Sequence, residues 1–354
     1  MSEKVLMKGN EAIAEAAIRS GCRHYFGYPI TPQTELAAYM AKRMPKIDGV
    51  FLQAESEIAA INMVYGVSSA GKRVMTSSSS PGISLKQEGI SYLVGSDLPA
   101  LIVNVQRGGP GLGGIQPSQS DYFQATKGGG HGDYHLIVLT PASVQEMADL
   151  VSLAFDLSDK YRVPAMLLAD GTMGQMMEPV ELPEEGDIKM VEKPWATTGT
   201  QMKREHNIVN SLYLNTEELE QKNFERFERY RQIEENEVRY EEYMMEDAEY
   251  CIVAFGIAAR VSMNAVDELR AQGIKAGMIR PITIWPFPKK AIAKAADQVK
   301  AFVSVELSMG QMIEDIRLSE ECRKPVVLCN RTGGMIPSTE QVVECIKNLE
   351  GGNN

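Results

Sequence analysis

The stretch HYFGYPITPQTELAAYMAKRM, residues 24–44, joins a strand-like segment, a proline-bounded loop and a helical segment. Its start is apolar and aromatic, as in a buried strand, and its end has the composition of a helix. Pro29 and Pro32 fix φ and carry no backbone N–H donor, so the loop cannot lie in the middle of a sheet. The stretch predicts a strand that ends in a rigid loop holding Thr31 between two prolines.

The same alternation of strand and helix runs through residues 1–181. The predicted strands are 24–29, 49–54, 73–79, 99–106, 136–140 and 163–170, and the predicted helices are 10–21, 33–44, 56–71, 86–96 and 143–160. Short apolar strands separated by helices of ten or more residues are typical of a mostly parallel sheet covered on both faces. We therefore predict one α/β domain over residues 1–181.

Residues 182–247 have a different composition and predict a charged helical linker. Four apolar residues in this segment recur at helical spacing and define one apolar stripe: Phe224, Phe227, Tyr230 and Ile233. Residues 248–354 return to the alternating pattern, with strands predicted at 250–256, 276–281, 301–307 and 325–330 and helices at 258–272, 288–299, 310–321 and 339–349. The sequence therefore predicts a second, smaller α/β domain.

Composition excludes several classes of protein. The formal charge of −11 and pI near 5.1 argue against a nucleic-acid partner. No apolar run is long enough to span a membrane, and Glu3 and Glu11 lie where a signal peptide would be basic or apolar, so we expect a cytoplasmic protein. The five cysteines are scattered and form no iron–sulfur cluster motif, so electrons would leave through another chain.

Two motifs resemble common binding sites but lack their context. The run GGPGLGG, residues 108–114, matches the spacing of a dinucleotide fingerprint, yet no helix signal follows it. The run HGDYH, residues 131–135, lacks the glutamate and the helix of a zinc motif. We interpret the first as a pliable loop beside Arg107 and the second as a loop with ordinary histidines, and we predict no metal site in this chain.

Two acidic residues, Glu55 and Glu57, open a helix whose remaining residues are apolar or small. Acids in a first helical turn often only offset the helix dipole. The alternative is a buried carboxylate with a chemical task. Spacing alone leaves both interpretations open, and it favours acids that merely offset the helix dipole.

Four segments occur in an order that resembles the pyrimidine-binding domain of 2-oxoacid:ferredoxin oxidoreductases. They are GYPITP (27–32), SEIAA (56–60), SPGISL (80–85) and the strand-end Arg107. The segments RPITIWPFP (280–288) and VELSMGQM (305–312) resemble the transketolase C-terminal-like domain that follows in the α subunits of this family. The resemblance covers nearly the whole chain except the charged linker. It implies oxidative decarboxylation of a 2-oxoacid to an acyl-CoA, with electrons passed to ferredoxin.

The resemblance implies roles for particular residues. Glu57 would hydrogen-bond the aminopyrimidine N1′ of thiamine diphosphate, with Glu55 auxiliary or helix-capping. Thr31 and Arg107 would contact the carboxylate of the substrate, Arg107 as a bidentate clamp. Further cofactor contacts would come from Tyr28, Pro29, Gly82 and Ile83.

Part of the expected cofactor site is missing from this sequence. Enzymes of this family bind the diphosphate and Mg²⁺ through a G-D-G motif followed by an asparagine, and the nearest match here is Ala169-Asp170-Gly171. The resemblance therefore implies a partner β subunit that carries this motif, with thiamine diphosphate shared across the interface. It further implies γ and ferredoxin-like δ subunits, with the iron–sulfur clusters on other chains.

The resemblance is greatest to subunits that act on branched-chain 2-oxoacids such as 3-methyl-2-oxobutanoate. A subunit acting on 2-oxoglutarate, the β component of a lipoyl-coupled or transketolase-like enzyme, and a non-catalytic assembly module are the alternatives. Reduction of ferredoxin but not of lipoamide would exclude the lipoyl-coupled or transketolase-like β component. Loss of activity when Glu57 is replaced would exclude the non-catalytic assembly module.

Overall fold

The strands of the chain form three sheets of seven, five and two strands within residues 4–182, 184 and 190–351, which the computed structural model describes. The two-stranded sheet pairs β1 (Val5–Lys8) with β8 (Met177–Val180) in antiparallel fashion, and the sequence did not predict it. No helix in these residues is long and apolar enough to cross a membrane.

The seven-stranded sheet forms the centre of the first α/β unit. Its strands are β2 (His24–Gly27), β3 (Val50–Gln53), β4 (Val74–Ser78), β5 (Leu101–Gln106), β6 (Ile137–Leu139), β7 (Ala165–Asp170) and β12 (Thr283–Trp285). Their order is β12-β6-β7-β5-β4-β2-β3, and every pair except β12 with β6 is parallel. Strands β4, β5, β6 and β7 are completely buried, as expected for a parallel sheet covered on both faces.

The five predicted helices of this unit are present, and two short helices, at Tyr122–Thr126 and Gly171–Gln175, were not predicted. The helices are α1 (Gly9–Arg19), α2 (Thr34–Arg43), α3 (Glu57–Ser69), α4 (Ser80–Gly95), α5 (Tyr122–Thr126), α6 (Val144–Tyr161) and α7 (Gly171–Gln175), with a 3-10 turn at Met44–Lys46. Ser56 begins α3 because its side chain accepts a hydrogen bond from the N–H of Ala59 at 3.1 Å. Helix α4 begins at Ser80, earlier than the predicted residue 86, so SPGISL forms its first turns.

The five-stranded sheet forms the second α/β unit. Its strands are β9 (Tyr240–Tyr243), β10 (Tyr250–Val253), β11 (Ala276–Pro281), β13 (Ala301–Glu306) and β14 (Val326–Asn330), in the order β14-β13-β10-β11-β9. Its helices are α9 (Gly256–Ala271), α10 (Lys289–Ala296), α11 (Met312–Ser319) and α12 (Thr339–Glu350). All pairs are parallel except β9 with β11. The predicted fold class, two mostly parallel α/β units, is confirmed.

Two edge strands depart from the predicted pattern. Strand β9 lies in the segment predicted as a helical linker, and β12 leaves the second unit to pair with β6 of the first sheet. Arg280 reinforces this crossing, because its guanidinium bonds Glu146 of α6 and Glu241 of β9 at 2.6–2.9 Å. The division of the chain at residues 181 and 247 stays a prediction.

The charged segment contains helix α8 (Thr216–Asn236), whose apolar stripe is only partly buried. Tyr230 and Ile233 are buried, whereas Phe224 is 62% exposed and Phe227 is 36% exposed. The ring of Tyr230 packs against His135 and Trp285, and its hydroxyl accepts a hydrogen bond from the N–H of His135 at 3.1 Å. The second half of the predicted stripe therefore packs on the body of this chain, whereas Phe224 at its start does not.

The motif VELSMGQM has a structural explanation. Glu306 is fully buried at the end of β13, and its carboxylate accepts hydrogen bonds from the backbone N–H groups at the start of α11. The hydroxyls of Ser304 and Ser308 donate to the same carboxylate at 2.7 Å. A buried carboxylate with this many donors is fully satisfied, so it stabilises the start of α11 and fixes the preceding loop.

Candidate functional site

The residues singled out by the sequence lie at one edge of the seven-stranded sheet. Thr31 follows β2, Glu57 follows β3, Gly82 follows β4 and Arg107 follows β5. These four strands are neighbours in the order β5-β4-β2-β3 and run parallel, so their carboxyl ends meet at the same edge. Open α/β sheets bind their ligands at this edge.

Glu57 is the first residue of α3 and is only 6% exposed. Its position is set by Ser56, which caps the helix and directs the Glu57 side chain inward. No side chain or backbone group in the described part of the chain hydrogen-bonds its carboxylate, although buried carboxylates normally have partners. Glu55 is exposed and lies outside α3, and the cap of the helix is Ser56, so the capping role suggested for Glu55 is wrong.

Gly82 lies against this carboxylate. A Cβ atom on Gly82 would lie 2.6 Å from Oε1 of Glu57 and 2.1 Å from Oγ of Ser78. Both distances are too short for any side chain, so only glycine lets α4 approach α3 this closely. The hydroxyls of Ser78 and Ser79 are also buried without hydrogen-bond partners among the described residues. Three polar side chains without partners therefore lie around the first turn of α4.

Arg107 connects the two loops that flank this site. It is 7% exposed, and its Nη1 and Nη2 atoms donate to the carbonyl oxygens of Thr31 and Leu112, each at 3.0 Å. Its Nε atom is buried and has no partner in the described residues. The sequence predicted a free bidentate clamp, but the structure shows that both ends of the guanidinium already bind the protein backbone. Arg107 therefore fixes the Thr31 loop, and its Nε–H is among the donors that no described residue uses.

The Thr31 loop has further anchors that the sequence analysis missed. Asn10 of α1 donates to the carbonyl oxygen of Pro32 at 2.8 Å. Gln33 is fully buried and accepts a hydrogen bond from the hydroxyl of Ser77 at 2.6 Å, which in turn lies 2.7 Å from the hydroxyl of Tyr25. The sequence feature that could have indicated these anchors is Gln33, a glutamine directly after the proline-bounded loop. This network holds the loop against β4 while Thr31 itself stays exposed.

The remaining predicted cofactor contacts are placed differently. Tyr28 and Pro29 are exposed on the same loop as Thr31, at the open edge of the sheet. Ile83 is fully buried in the core of the chain. The Ile83 side chain therefore packs in the core next to the site. Of Gly82 and Ile83, it is Gly82 that faces Glu57.

A cavity of about 510 Å³ opens beside Thr31. It lies between the Thr31 loop, the glycine-rich loop and α7, and its lining consists of Thr31, Pro32, Ile115, Gln116, Pro117, Gly171, Thr172, Gln175 and Met176. Within the described chain none of these lining residues carries a charge. The cavity therefore offers an uncharged surface that is partly apolar and partly hydrogen-bonding.

The glycine-rich loop is a connection rather than a nucleotide site. Residues 108–121 contain no helix, and Arg107 forms an isolated antiparallel bridge with Pro117. Gly113 has φ of 62°, and a Cβ there would lie 1.8 Å from the carbonyl oxygen of Gly108. The loop thus folds back on itself beside Arg107, as the missing helix signal indicated.

The histidine-rich run and Asp170 are not arranged as metal ligands. His135 packs between Tyr230 and Trp285, and burial lowers its pKa, whereas His131 is exposed. Asp170 caps α7 by accepting hydrogen bonds from the N–H groups of Thr172 and Met173 at 2.9 and 3.0 Å. In residues 4–182, 184 and 190–351, no group of three or more His, Cys, Asp or Glu side chains could hold a metal ion.

Fold and site together define a mostly parallel α/β chain with a buried carboxylate, Glu57, at the carboxyl edge of its seven-stranded sheet, and its sequence matches known families. Residues 15–246 match the family described as pyruvate flavodoxin/ferredoxin oxidoreductase, thiamine diphosphate-binding. Residues 248–342 match pyruvate:ferredoxin oxidoreductase core domain II. The chain belongs to the pyruvate flavodoxin/ferredoxin oxidoreductase family.

Curated relatives show where the chain lies within this family. The ketoisovalerate oxidoreductase subunit VorB of Methanothermobacter marburgensis is 52% identical, with 99% of each chain covered. The 2-oxoglutarate synthase subunit KorA of the same organism is 33% identical over 99% of this chain and 100% of that protein. The chain is thus more similar to the ketoisovalerate subunit than to this 2-oxoglutarate subunit.

Two solved structures share the fold. The 2-oxoglutarate:ferredoxin oxidoreductase of Magnetococcus marinus, solved with 2-oxoglutarate, coenzyme A and succinyl-CoA bound, has a TM-score of 0.87 and 27% identity. The match covers 98% of this chain and 65% of that longer chain. A split-gene transketolase, described as an inactive β4 tetramer, has a TM-score of 0.60, 15% identity and 97% coverage of both chains, and it shows the fold alone.

Proposed function

We propose that this chain is the α subunit of a 2-oxoacid:ferredoxin oxidoreductase that converts a branched-chain 2-oxoacid and coenzyme A to an acyl-CoA and CO₂. The electrons pass to ferredoxin through iron–sulfur clusters on other subunits. The observation that carries the proposal is the buried Glu57 carboxylate without a partner, beside a glycine that leaves room for no side chain. The greater similarity to the ketoisovalerate subunit supports the substrate class.

The residues around Glu57 fit the aminopyrimidine half of thiamine diphosphate. The hydroxyls of Ser78 and Ser79 are buried hydrogen-bonding groups that no described residue uses, and they lie beside the Glu57 carboxylate at the first turn of α4. Gly82 keeps the first turn of α4 open toward them. When bound, the cofactor supplies the nucleophilic carbon and the electron sink needed to release CO₂ from a 2-oxoacid.

Each residue of the site then has a definite task. Glu57 holds a proton at N1′ of the pyrimidine, which is general acid–base work by a positioned carboxyl group. Thr31 presents its hydroxyl and the adjoining loop to the substrate. Arg107 holds that loop by its Nη atoms and offers its free Nε–H and its positive charge to the substrate carboxylate.

The substrate class follows from the cavity beside Thr31. A 2-oxoglutarate side chain ends in a second carboxylate, which would need a cationic or strong hydrogen-bonding partner in a buried site. The described lining offers no charged group and combines four apolar residues, Pro32, Ile115, Pro117 and Met176, with four uncharged polar ones, Thr31, Gln116, Thr172 and Gln175. A branched aliphatic side chain therefore suits this cavity better than a carboxylate.

The diphosphate and Mg²⁺ belong on a partner β subunit in this proposal. Asp170, the aspartate of the nearest match to a G-D-G motif, is already engaged in capping α7. Burial raises the pKa of Asp170 to about 6. Partner γ and ferredoxin-like δ subunits complete the complex, and five unpaired cysteines fit a reducing, cytoplasmic location.

The complex reconstituted from this chain and the neighbouring gene products tests the proposal. We expect ferredoxin reduction that requires 3-methyl-2-oxobutanoate, coenzyme A and thiamine diphosphate, and a kcat/KM at least about tenfold lower with 2-oxoglutarate. Lipoamide should not be reduced. Equal or better use of 2-oxoglutarate would contradict the substrate class, and lack of any 2-oxoacid-dependent reduction would contradict the enzyme class.

Replacement of Arg107 by alanine tests the substrate contact. We expect the KM for the 2-oxoacid to rise by about 30- to 100-fold, since a charge-assisted hydrogen bond contributes roughly 2–3 kcal/mol. The KM for coenzyme A should change far less. Steady-state kinetics with each substrate varied in turn measure both values, and equal effects on both would count against a contact with the carboxylate.

A further inference from the structure

A lysine lies buried next to the proposed catalytic carboxylate. Lys86 of α4 is fully buried, and its Nζ atom donates one hydrogen bond, to Oγ1 of Thr76 on β4 at 2.5 Å. An ammonium group has three N–H donors, so the hydroxyl of Thr76 alone does not satisfy it. A buried charge is tolerated in proteins when an opposite charge lies nearby.

The packing of two helices places Lys86 beside Glu57. On α4, Gly82, Lys86 and Gly89 share the face that meets α3, because they are four and three residues apart. A Cβ on Gly82 would lie 2.6 Å from Oε1 of Glu57, and a Cβ on Gly89 would lie 2.4 Å from Cγ2 of Ile61. Lys86 lies on α4 between these two points of close approach, facing the turn of α3 that separates Glu57 from Ile61.

The surroundings of Lys86 contain one charged group that acts on it. Glu57 is the only charged residue of α3, and β4 and β5 contain no ionisable side chain. Asp121 bonds Ser80 at the start of α4, His131 lies by Ser91 near its other end, and Glu88 is exposed. Burial lowers the pKa of Lys86 to about 7, and the negative charge of Glu57 opposes this by raising it.

We propose that Lys86 is a positioning residue whose buried ammonium, without bonding Glu57 directly, favours the carboxylate form of the Glu57 side chain in the cofactor pocket. This inference rests on the proposed function of Glu57. Opposite charges stabilise each other in their ionised forms, so the lysine keeps the glutamate ready to hold a proton at the cofactor. Lys86 is mostly charged below about pH 7.

The test uses the reconstituted complex with Lys86→Met, Glu57→Gln and the double variant, and Ile90→Met of α4 as the packing control. Equilibrium binding of thiamine diphosphate is measured without 2-oxoacid. We expect Lys86→Met to weaken binding about tenfold. The double variant should bind within about twofold of Glu57→Gln alone, because a residue that acts through Glu57 has nothing further to act on.

The pH dependence of kcat/KM gives the second readout. In Lys86→Met the pH of half-maximal activity on the acidic side should move upward by about one pH unit or more, whereas Ile90→Met should keep the native value. If Lys86→Met fails to assemble, Lys86→Gln, which keeps a donor for Thr76, makes the same comparison.

The outcomes separate two failures. The role of Lys86 would be overturned if the two substitutions weakened cofactor binding independently, so that their effects multiply in the double variant. It would also be overturned if the acidic side of the pH profile of kcat/KM did not move in Lys86→Met. In either case, an impaired Glu57→Gln complex would leave the proposed function standing. Unchanged cofactor binding and turnover in Glu57→Gln would overturn the proposed function and this inference together.

Discussion

Replacing Glu57 by glutamine is expected to lower the turnover of the assembled complex by about 10²- to 10⁴-fold. Glutamine has nearly the same shape and can still form a hydrogen bond, but it cannot hold or release a proton near neutral pH. The described residues form no hydrogen bond to the Glu57 carboxylate, so the replacement leaves no protein donor without its acceptor. The loss should therefore appear in kcat, with the complex intact.

The matched control is Glu88→Gln. Glu88 is an exposed glutamate of α4, and its carboxylate accepts a hydrogen bond from the hydroxyl of Tyr92 at 2.7 Å. Its replacement should leave turnover within about twofold, because exposed changes away from the site have small effects. Size-exclusion chromatography of both complexes checks assembly, and turnover of the Glu57→Gln complex at the native rate would rule out the assignment.

The second large effect is expected from Gly82→Ala. An added methyl group would lie 2.1 Å from Oγ of Ser78 and 2.6 Å from Oε1 of Glu57, so the start of α4 or the carboxylate must move. Displacement of a catalytic group by about 1 Å costs roughly 100-fold in rate. We expect turnover to fall by about that factor and thiamine diphosphate to bind more weakly.

Gly66→Ala supplies the comparison on the facing helix. Gly66 lies in α3, is exposed, and has open space where a Cβ would be. Alanine is the better helix former by about 1 kcal/mol, so this variant should raise the midpoint of thermal unfolding and keep full turnover. Similar losses in both glycine variants would show that the close approach of Gly82 to Glu57 is not what matters.

Local patterns were sufficient to predict most of the fold. The alternation of strands and helices fixed the fold class, and the C-terminal helices begin within two residues of their predicted starts. The edge strands β9 and β12 were missed, because β12 has three residues within a proline-rich run and β9 lies in a charged segment. Both are strands only through their partners β11 and β6, and pairing of distant segments leaves no local pattern.

The site was predicted in outline but not in its contacts. Glu57, Thr31 and Arg107 lie at one sheet edge because each follows a parallel strand, and the order of strands and loops indicates this. The engagement of both Nη atoms of Arg107 by backbone carbonyls depends on loop geometry that no residue pattern records. Lys86 was overlooked because a lysine in a predicted helix is normally solvent-exposed.

The structure of the reconstituted complex with thiamine diphosphate bound tests the central claim most directly. We expect a carboxylate oxygen of Glu57 within about 2.6–3.2 Å of the pyrimidine N1′, with the diphosphate held by the partner β subunit. A cofactor whose pyrimidine ring lies away from the first turn of α3, with the Glu57 side chain turned to solvent, would contradict the account.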